Sequence, residues 1–195
     1  MRVLVHFALW RLGLATAETQ TTIAERDCLA RHASGRKRLA EIGVWHGVTT
    51  SRLRQAMAPD AILLAIDPYP AGRLGFSMPM AIARKEVSKV ENGSVKWLRE
   101  TGVAASSGLD RSESFDFVFI DGEHTYEGLR ADWTGWSPRL VQGGIVGLHD
   151  SRSTPQRPID DAGSVRFTSE VILNDPRFEV VDAVDSLTML RRKQD

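Results

Sequence analysis

The sequence has only one cysteine, Cys28. No disulfide can therefore form within the chain, which excludes a small disulfide-stapled scaffold. A lone thiol fits a reducing compartment, so a cytoplasmic location is expected. Charge of either sign is not in excess: 25 Lys and Arg balance 25 Asp and Glu among 195 residues. A chain-wide basic face for nucleic acid is thereby excluded. No apolar run reaches the ~20 residues that span a bilayer, so no membrane partner is expected. The dinucleotide spacing G-x-G-x-x-G and the phosphate loop G-x-x-x-x-G-K-[ST] are both missing. So is the G-x-S-x-G elbow of α/β-hydrolases. What remains is ordinary globular composition, 42% hydrophobic and 26% charged, in a length that suits one domain over 1–195.

The first 14 residues are apolar, but His6 and Arg11 interrupt them and Trp10-Arg11-Leu12-Gly13 breaks any smooth core. The pattern is read as a helical segment within 1–35, packing on the domain or on a second copy, rather than as a secretory leader. A homodimer is one expectation from it. Thr22-x-x-Glu25 is a capping-box pattern that opens a helix running to about Ser34, with Gly35 as its stop.

From there short apolar runs alternate with helical stretches. Strands are expected at Leu39–Ile42, Ala61–Ile66, Val95–Leu98, Phe115–Ile120 and Ile145–Leu148. The continuous apolar character of AILLAI and FDFVFI fits strands buried on both faces. Helices are expected at Val48–Met57, Pro79–Val90, Thr125–Leu140 and Ser164–Leu173. In the third of these, Tyr126, Leu129, Trp133, Trp136 and Leu140 step by three and four, one face of a helix, and are read as core. Phe178–Val181 and Leu187–Leu190 read as a closing antiparallel pair. Alternation of this kind means an α/β fold, a parallel sheet with helices on both faces. Ligands of such sheets bind beyond the carboxyl ends of the strands.

The polar residues follow that rule. The first strand leads into Glu41-Ile-Gly43-Val-Trp-His-Gly47-Val-Thr49-Thr50, a glycine-bearing turn that lets a ligand approach the backbone. The second ends at Asp67, placed to accept both hydroxyls of a ribose. The fourth ends in Asp121-Gly122-Glu123-His124 and the fifth in His149-Asp150-Ser151. Adjacent parallel strands would carry Asp121 and Asp150 into one crevice, where two carboxylates make a site for a hard divalent cation such as Mg²⁺. His124, three residues beyond Asp121, can lean over that site as a general base. His149 is open between three roles: ligand, orienter of His124, or packing. The loops 68–78 and 151–163 are long for a compact domain and read as lids. Arg73, Arg152 and Arg157 are candidates for hydrogen-bonding a ligand held under these loops, and Tyr69 and Tyr126 for stacking on it.

These segments resemble class I S-adenosylmethionine (SAM) dependent methyltransferases. EIGVWHGVTT looks like their first motif and AIDPY like their second. FDFVFIDGEHTYEGLRADW with LVQGGIVGLHDS looks like the metal-dependent O-methyltransferase branch, nearest to enzymes that methylate sugar hydroxyls of the macrocin and methylated-mannoside type. The resemblance spans about Thr22 to Ser151. It implies a Rossmann-like sheet of seven strands, mostly parallel, with the last hairpin reversing one edge. It places Glu41, Gly43, Gly47 and Thr49 at the cofactor, Asp67 on its ribose, and Glu100 or Thr101 near its adenine. It places the cation on Asp121 and Asp150 and supports His124 as base, with His149 the second catalytic candidate. Relatives carry an acid where this chain has His149, which leaves the third ligand open. The implied acceptor is a saccharide or a glycosylated small molecule. A phenolic or catechol acceptor is the alternative, and a SAM-binding or hydroxylase-type protein without methyl transfer is a third reading.

Overall fold

The computed structural model describes residues 2–72 and 75–194. Seven helices and seven strands alternate along them. The helices are α1 (Arg2–Arg11), α2 (Ile23–Ala33), α3 (Val48–Ala56), α4 (Met78–Val87), α5 (Gly102–Gly108), α6 (Tyr126–Trp136) and α7 (Gly163–Glu170). The strands are β1 (Arg38–Ile42), β2 (Ile62–Ile66), β3 (Ser94–Leu98), β4 (Phe115–Ile120), β5 (Leu140–Leu148), β6 (Phe178–Val184) and β7 (Leu187–Arg192). They form one sheet in the order β3-β2-β1-β4-β5-β7-β6. The first five are mutually parallel, and β7 runs antiparallel to both β5 and β6. This is the expected Rossmann-like sheet with its reversed edge.

Local chemistry explains the boundaries. Thr22 accepts from the Glu25 backbone N–H while the Glu25 carboxylate accepts from the Thr22 N–H, a complete capping box. Gly35 follows in left-handed conformation, φ 70°, and stops the helix. Ser77, Thr101 and Thr125 cap α4, α5 and α6, each side chain accepting from a backbone N–H three residues on. The aromatic stripe on α6 is core: Trp133 lies 4.8 Å from Phe178 and Trp136 5.5 Å from Phe115, ring to ring.

Two elements depart from expectation. Helix α5 was not anticipated, because GVAASSG carries no apolar period; Thr101 and the core contact of Ala105 hold it instead. Helix α6 ends at Trp136, and the chain then turns through Ser137–Arg139 so that Leu140 already belongs to β5. Pro138 cannot extend the helical ladder, which fixes that break.

The sheet buries one apolar layer on each face. The α6–α7 side gathers Ile42, Val118, Ile120 and Trp136, and the α2–α3 side gathers Leu29, Leu53, Leu63 and Phe119. Strand β1 sits between β2 and β4, where the chain reverses its direction of travel across the sheet. That switch opens a crevice at the carboxyl ends of β1, β2 and β4. Helix α1 packs near α4, with Phe7 5.8 Å from Phe76, and leaves Val3, Leu4, Leu12 and Leu14 exposed. Among the described residues no helix is long and apolar enough to cross a membrane.

Candidate functional site

The crevice is a cavity of about 850 Å³. Its floor is the turn after β1. Gly43 (φ 86°) and Gly47 (φ 73°) both take left-handed backbone, and a Cβ on Gly43 would lie 1.9 Å from the Asp121 carbonyl oxygen. Glycine at 43 is thus demanded both by conformation and by the close approach of the β1 and β4 ends. Trp45, between them, is also left-handed, φ 47°.

Asp67 at the end of β2 ties this turn down. One carboxylate oxygen accepts from the backbone N–H of Val44 (3.1 Å) and Trp45 (3.0 Å), the other from Tyr69 (2.9 Å). A carboxylate has about four acceptor positions, so capacity remains toward the cavity. Glu41 lies at the cavity wall yet fully buried, and neither of its oxygens has a partner of good hydrogen-bond geometry among the described residues. Burial pushes its carboxyl well above the ordinary range; the Thr50 hydroxyl opposes this, and the charges of Asp121 and Asp67 add to it. Thr49 also lines the cavity and shares a hydrogen bond with Thr21, hydroxyl to hydroxyl, at 3.1 Å.

Past β4 and β5 the acidic and imidazole groups come together. Asp121 Oδ1 accepts from His149 Nδ1 at 2.8 Å. His124 Nε2 lies 3.7 Å from Asp121 and 3.8 Å from Asp150. The two carboxylates therefore face one imidazole nitrogen. Asp150, itself left-handed at φ 48°, is gripped by Arg157 through both carboxylate oxygens. Burial works against its charge, but Arg157 and His149 outweigh that and hold its pKa below the usual value.

Beneath lies a residue seen in the sequence only as a cap. Glu25 accepts from Thr22 N–H, Ser186 N–H (2.9 Å) and the Ser186 hydroxyl (2.8 Å), and lies 3.5 Å from His149 Nε2. The side chains of Glu25 and His149 are each only 1% exposed. Burial alone would lower the His149 pKa, but its hydrogen bond to Asp121 and the Glu25 carboxylate 3.5 Å away raise it to about 10. Burial likewise opposes the charge on Glu25, yet His149, Thr22 and Ser186 hold it down at about 2. His149 is thus a buried imidazolium clasped by carboxylates. The capping pattern hid this role, since nothing local to Thr22–Glu25 points to a residue 124 positions away.

The remaining candidates divide. Thr101 lines the cavity, whereas Glu100 is exposed and outside it. Arg157 is bound to Asp150, and Arg152 is exposed. Arg73 lies outside the described residues. Tyr69 is buried, with its hydroxyl donating to the Trp45 carbonyl at 2.9 Å, and so presents no face to an acceptor. Tyr126 packs edge-on against Phe167 at 5.1 Å, away from the cavity lining. The structure adds residues with no sequence signal: Glu18, Thr19 and Gln20 close one side of the cavity, and Asp132 of α6 forms part of its wall.

Asp121 and His124 offer ligand atoms within 4.8 Å of each other and Asp150 lies beside His124, while His149, an imidazolium donating to Asp121, has no lone pair to offer. Oxygen from two carboxylates suits Mg²⁺ or Mn²⁺, and imidazole nitrogen suits the latter better. The donor set fits such an ion, in competition with the Arg157 guanidinium for Asp150.

A parallel sheet with a glycine turn after β1, a carboxylate after β2 and a cavity at the switch point is the architecture of nucleotide-type cofactor enzymes. A family profile described as a methyltransferase domain matches residues 40–151, more than half of the chain. The chain belongs to this methyltransferase family. The uncharacterized protein y4gI of Sinorhizobium fredii is 27% identical over 127 residues, which are 62% of this chain and 14% of that protein. The chain thus spans only a small part of that relative's length. Among solved structures, the cofactor-bound Rv0187 from MTB is similar with a TM-score of 0.71 at 14% identity, covering all of this chain and 91% of that one. An O-methyltransferase from Bacillus cereus in complex with S-adenosylhomocysteine (SAH) gives 0.64 at 17%, covering 98% and 89%. The N-methyltransferase NodS from Bradyrhizobium japonicum WM9, also with SAH, gives 0.59 at 14%, covering 99% and 97%. These likenesses establish the fold.

Proposed function

We propose that the protein transfers the methyl group of SAM to a hydroxyl of a saccharide or glycosylated small molecule. The observation that carries this reading is the charge of the cavity. Among the described residues seven of its lining side chains are Asp or Glu and none is Lys or Arg, with burial favouring the neutral form only at Glu41 among those facing Asp67 and Asp121. Such a wall repels phosphate-bearing ligands and attracts a ligand of cations and donors. SAM is one: a sulfonium, an ammonium, two ribose hydroxyls and an amine. The first-turn N–H groups of α3, which no side chain caps, remain for its single carboxylate.

In this reading Glu41, Gly43 and Thr49 underlie the methionine part, while Gly47, outside the cavity lining, sits against Ala83 and Val87 of α4 and shapes the turn. Asp67 accepts from the ribose with its free lone pairs, and Thr101 borders the base. The acceptor oxygen attacks the methyl carbon, the carbon–sulfur bond breaks, and sulfur leaves as a neutral thioether. His124 Nε2 takes the acceptor's proton. It is half-exposed at the cavity lining, so an incoming hydroxyl reaches it. Alignment of oxygen, carbon and sulfur supplies much of the rate. A divalent cation, when bound by Asp121 and Asp150, would acidify a chelated hydroxyl. His149, held by Glu25 and Asp121, fixes the Asp121 carboxylate toward His124.

The test is methyl transfer from isotopically labelled SAM to a panel of saccharides, glycosides and catechols, each with Mg²⁺ and with chelator. Label on a saccharide hydroxyl supports the reading. Label on catechols alone replaces the acceptor class. No transfer to any acceptor rejects it.

A further inference from the structure

Away from the cavity, α2 and β6 bring together three side chains of different donor chemistry. Cys28 and His32 stand one turn apart on α2, a spacing that puts both on one face. Asp182 of β6 lies opposite. Its Oδ2 is 3.4 Å from Cys28 Sγ and 3.2 Å from His32 Nε2. Strand β6 slips register between Val180 and Asp182, and such irregularities re-aim a side chain. The other Asp182 oxygen accepts from the Ala183 backbone N–H at 2.9 Å, which steadies the carboxylate with Oδ2 toward the helix. Thiol, imidazole and the Arg31 guanidinium thus crowd one oxygen.

Sulfur, nitrogen and oxygen donors make a mixed set that suits Zn²⁺ and not Mg²⁺. Ligands at ~2.0–2.3 Å around a tetrahedral ion lie roughly 3.3–3.5 Å from one another. The observed separations already have that size, and all three donor atoms lie within 4.8 Å of each other. Cys28 is fully buried, whereas the side chains of His32 and Asp182 are 22% and 30% exposed, so an ion enters from their side. His32 also borders a second cavity, of about 670 Å³, with room for water as a fourth ligand.

We infer that Cys28, His32 and Asp182 bind Zn²⁺ and form a structural metal site remote from the reaction. On binding, the Cys28 thiol gives its proton to solvent. His32 moves its proton from Nε2 to Nδ1, which has no partner among the described residues, and Nε2 takes the metal. Thiolate and carboxylate together balance the charge of the ion. Arg31, largely exposed, yields Oδ2 and turns to solvent. The ion then staples α2 to β6. Glu25 precedes Cys28 by about one turn on that helix, so the staple steadies the carboxylate that clasps His149.

The test loads metal-free protein with Co²⁺, a spectroscopic stand-in for Zn²⁺, and then titrates in Zn²⁺. A thiolate-to-cobalt charge-transfer band in the near ultraviolet should appear and be displaced by Zn²⁺. Cys28 is the only cysteine, so the band reports this site even if Asp121 and Asp150 hold a second ion. Cys28→Ser should abolish it. His32→Gln and Asp182→Asn, at partly exposed positions, should keep the fold by circular dichroism and weaken Zn²⁺ binding about tenfold or more. Zn²⁺ should raise the Tm of wild type more than that of His32→Gln. No band in wild type overturns the inference, as does an unchanged Zn²⁺ affinity in both His32→Gln and Asp182→Asn. Equal Tm shifts in wild type and His32→Gln overturn the stapling role.

Discussion

Replacing Glu25 with alanine should be among the most destabilising single changes available in this chain. The carboxylate it removes accepts from Ser186 twice and from Thr22, and it faces the His149 imidazolium. The side chains of both ion-pair partners are 1% exposed, so water cannot take over these contacts without opening the fold. Removing one member of a buried charged pair costs about 3–5 kcal/mol, most of it from the charge and donors left behind. For a chain of this size that corresponds to roughly 6–20 °C in Tm. Urea unfolding of wild type and Glu25→Ala, followed by circular dichroism, reads the difference.

Its pH dependence gives a second, independent check. The Glu25 pKa falls from 4.5 to about 2 on folding, so its contribution is complete above 4.5 and lost as pH falls toward 2. The His149 pKa rises from 6.5 to about 10, so its contribution is complete below 6.5 and lost as pH rises toward 10. The gap between wild type and variant should therefore be widest between these two unfolded values and shrink on either side. A loss below about 1 kcal/mol, or a gap that is flat with pH, refutes the buried clasp as described.

Other perturbations follow from the same geometry. Gly43→Ala forces a Cβ against the Asp121 carbonyl and holds alanine at φ 86°, so it should lower stability by about 2 kcal/mol or more; a Tm equal to wild type would contradict the close approach. His124→Ala should lower kcat by about 10²–10⁴-fold while leaving SAH affinity intact; calorimetry with steady-state rates separates the two. Arg157→Gln frees the Asp150 carboxylate and should raise affinity for Mn²⁺, followed by titration; unchanged affinity would show that the guanidinium and a cation do not compete.

Much of the fold is legible because the sheet is buried on both faces. AILLAI and FDFVFI leave little choice but interior strands, and β4 begins and ends where its sequence says. Helix α5 escaped because its seven small residues are held by a Thr101 cap and by tertiary packing, neither of which makes a period. For the site, proximity to strand ends placed Glu41, Asp67, Asp121, His124 and Asp150 in the right region. What sequence position could not convey is which partner each side chain takes. Arg157 curls back onto Asp150 from a loop that reads as solvated, and Tyr69 turns inward because its hydroxyl meets the Trp45 carbonyl. Asp132 lies within the α6 stripe, three residues after Leu129 and four before Trp136, so it is buried on the same face although its type gives no apolar signal.

The most direct trial of the account is calorimetric titration of SAH into the intact protein, beside Asp67→Ala as the control for the turn it holds. The account predicts one molecule bound per chain by wild type and a clear loss of affinity in the variant. No binding by wild type, or equal binding by both proteins, would contradict the placement of a methyl donor in this cavity.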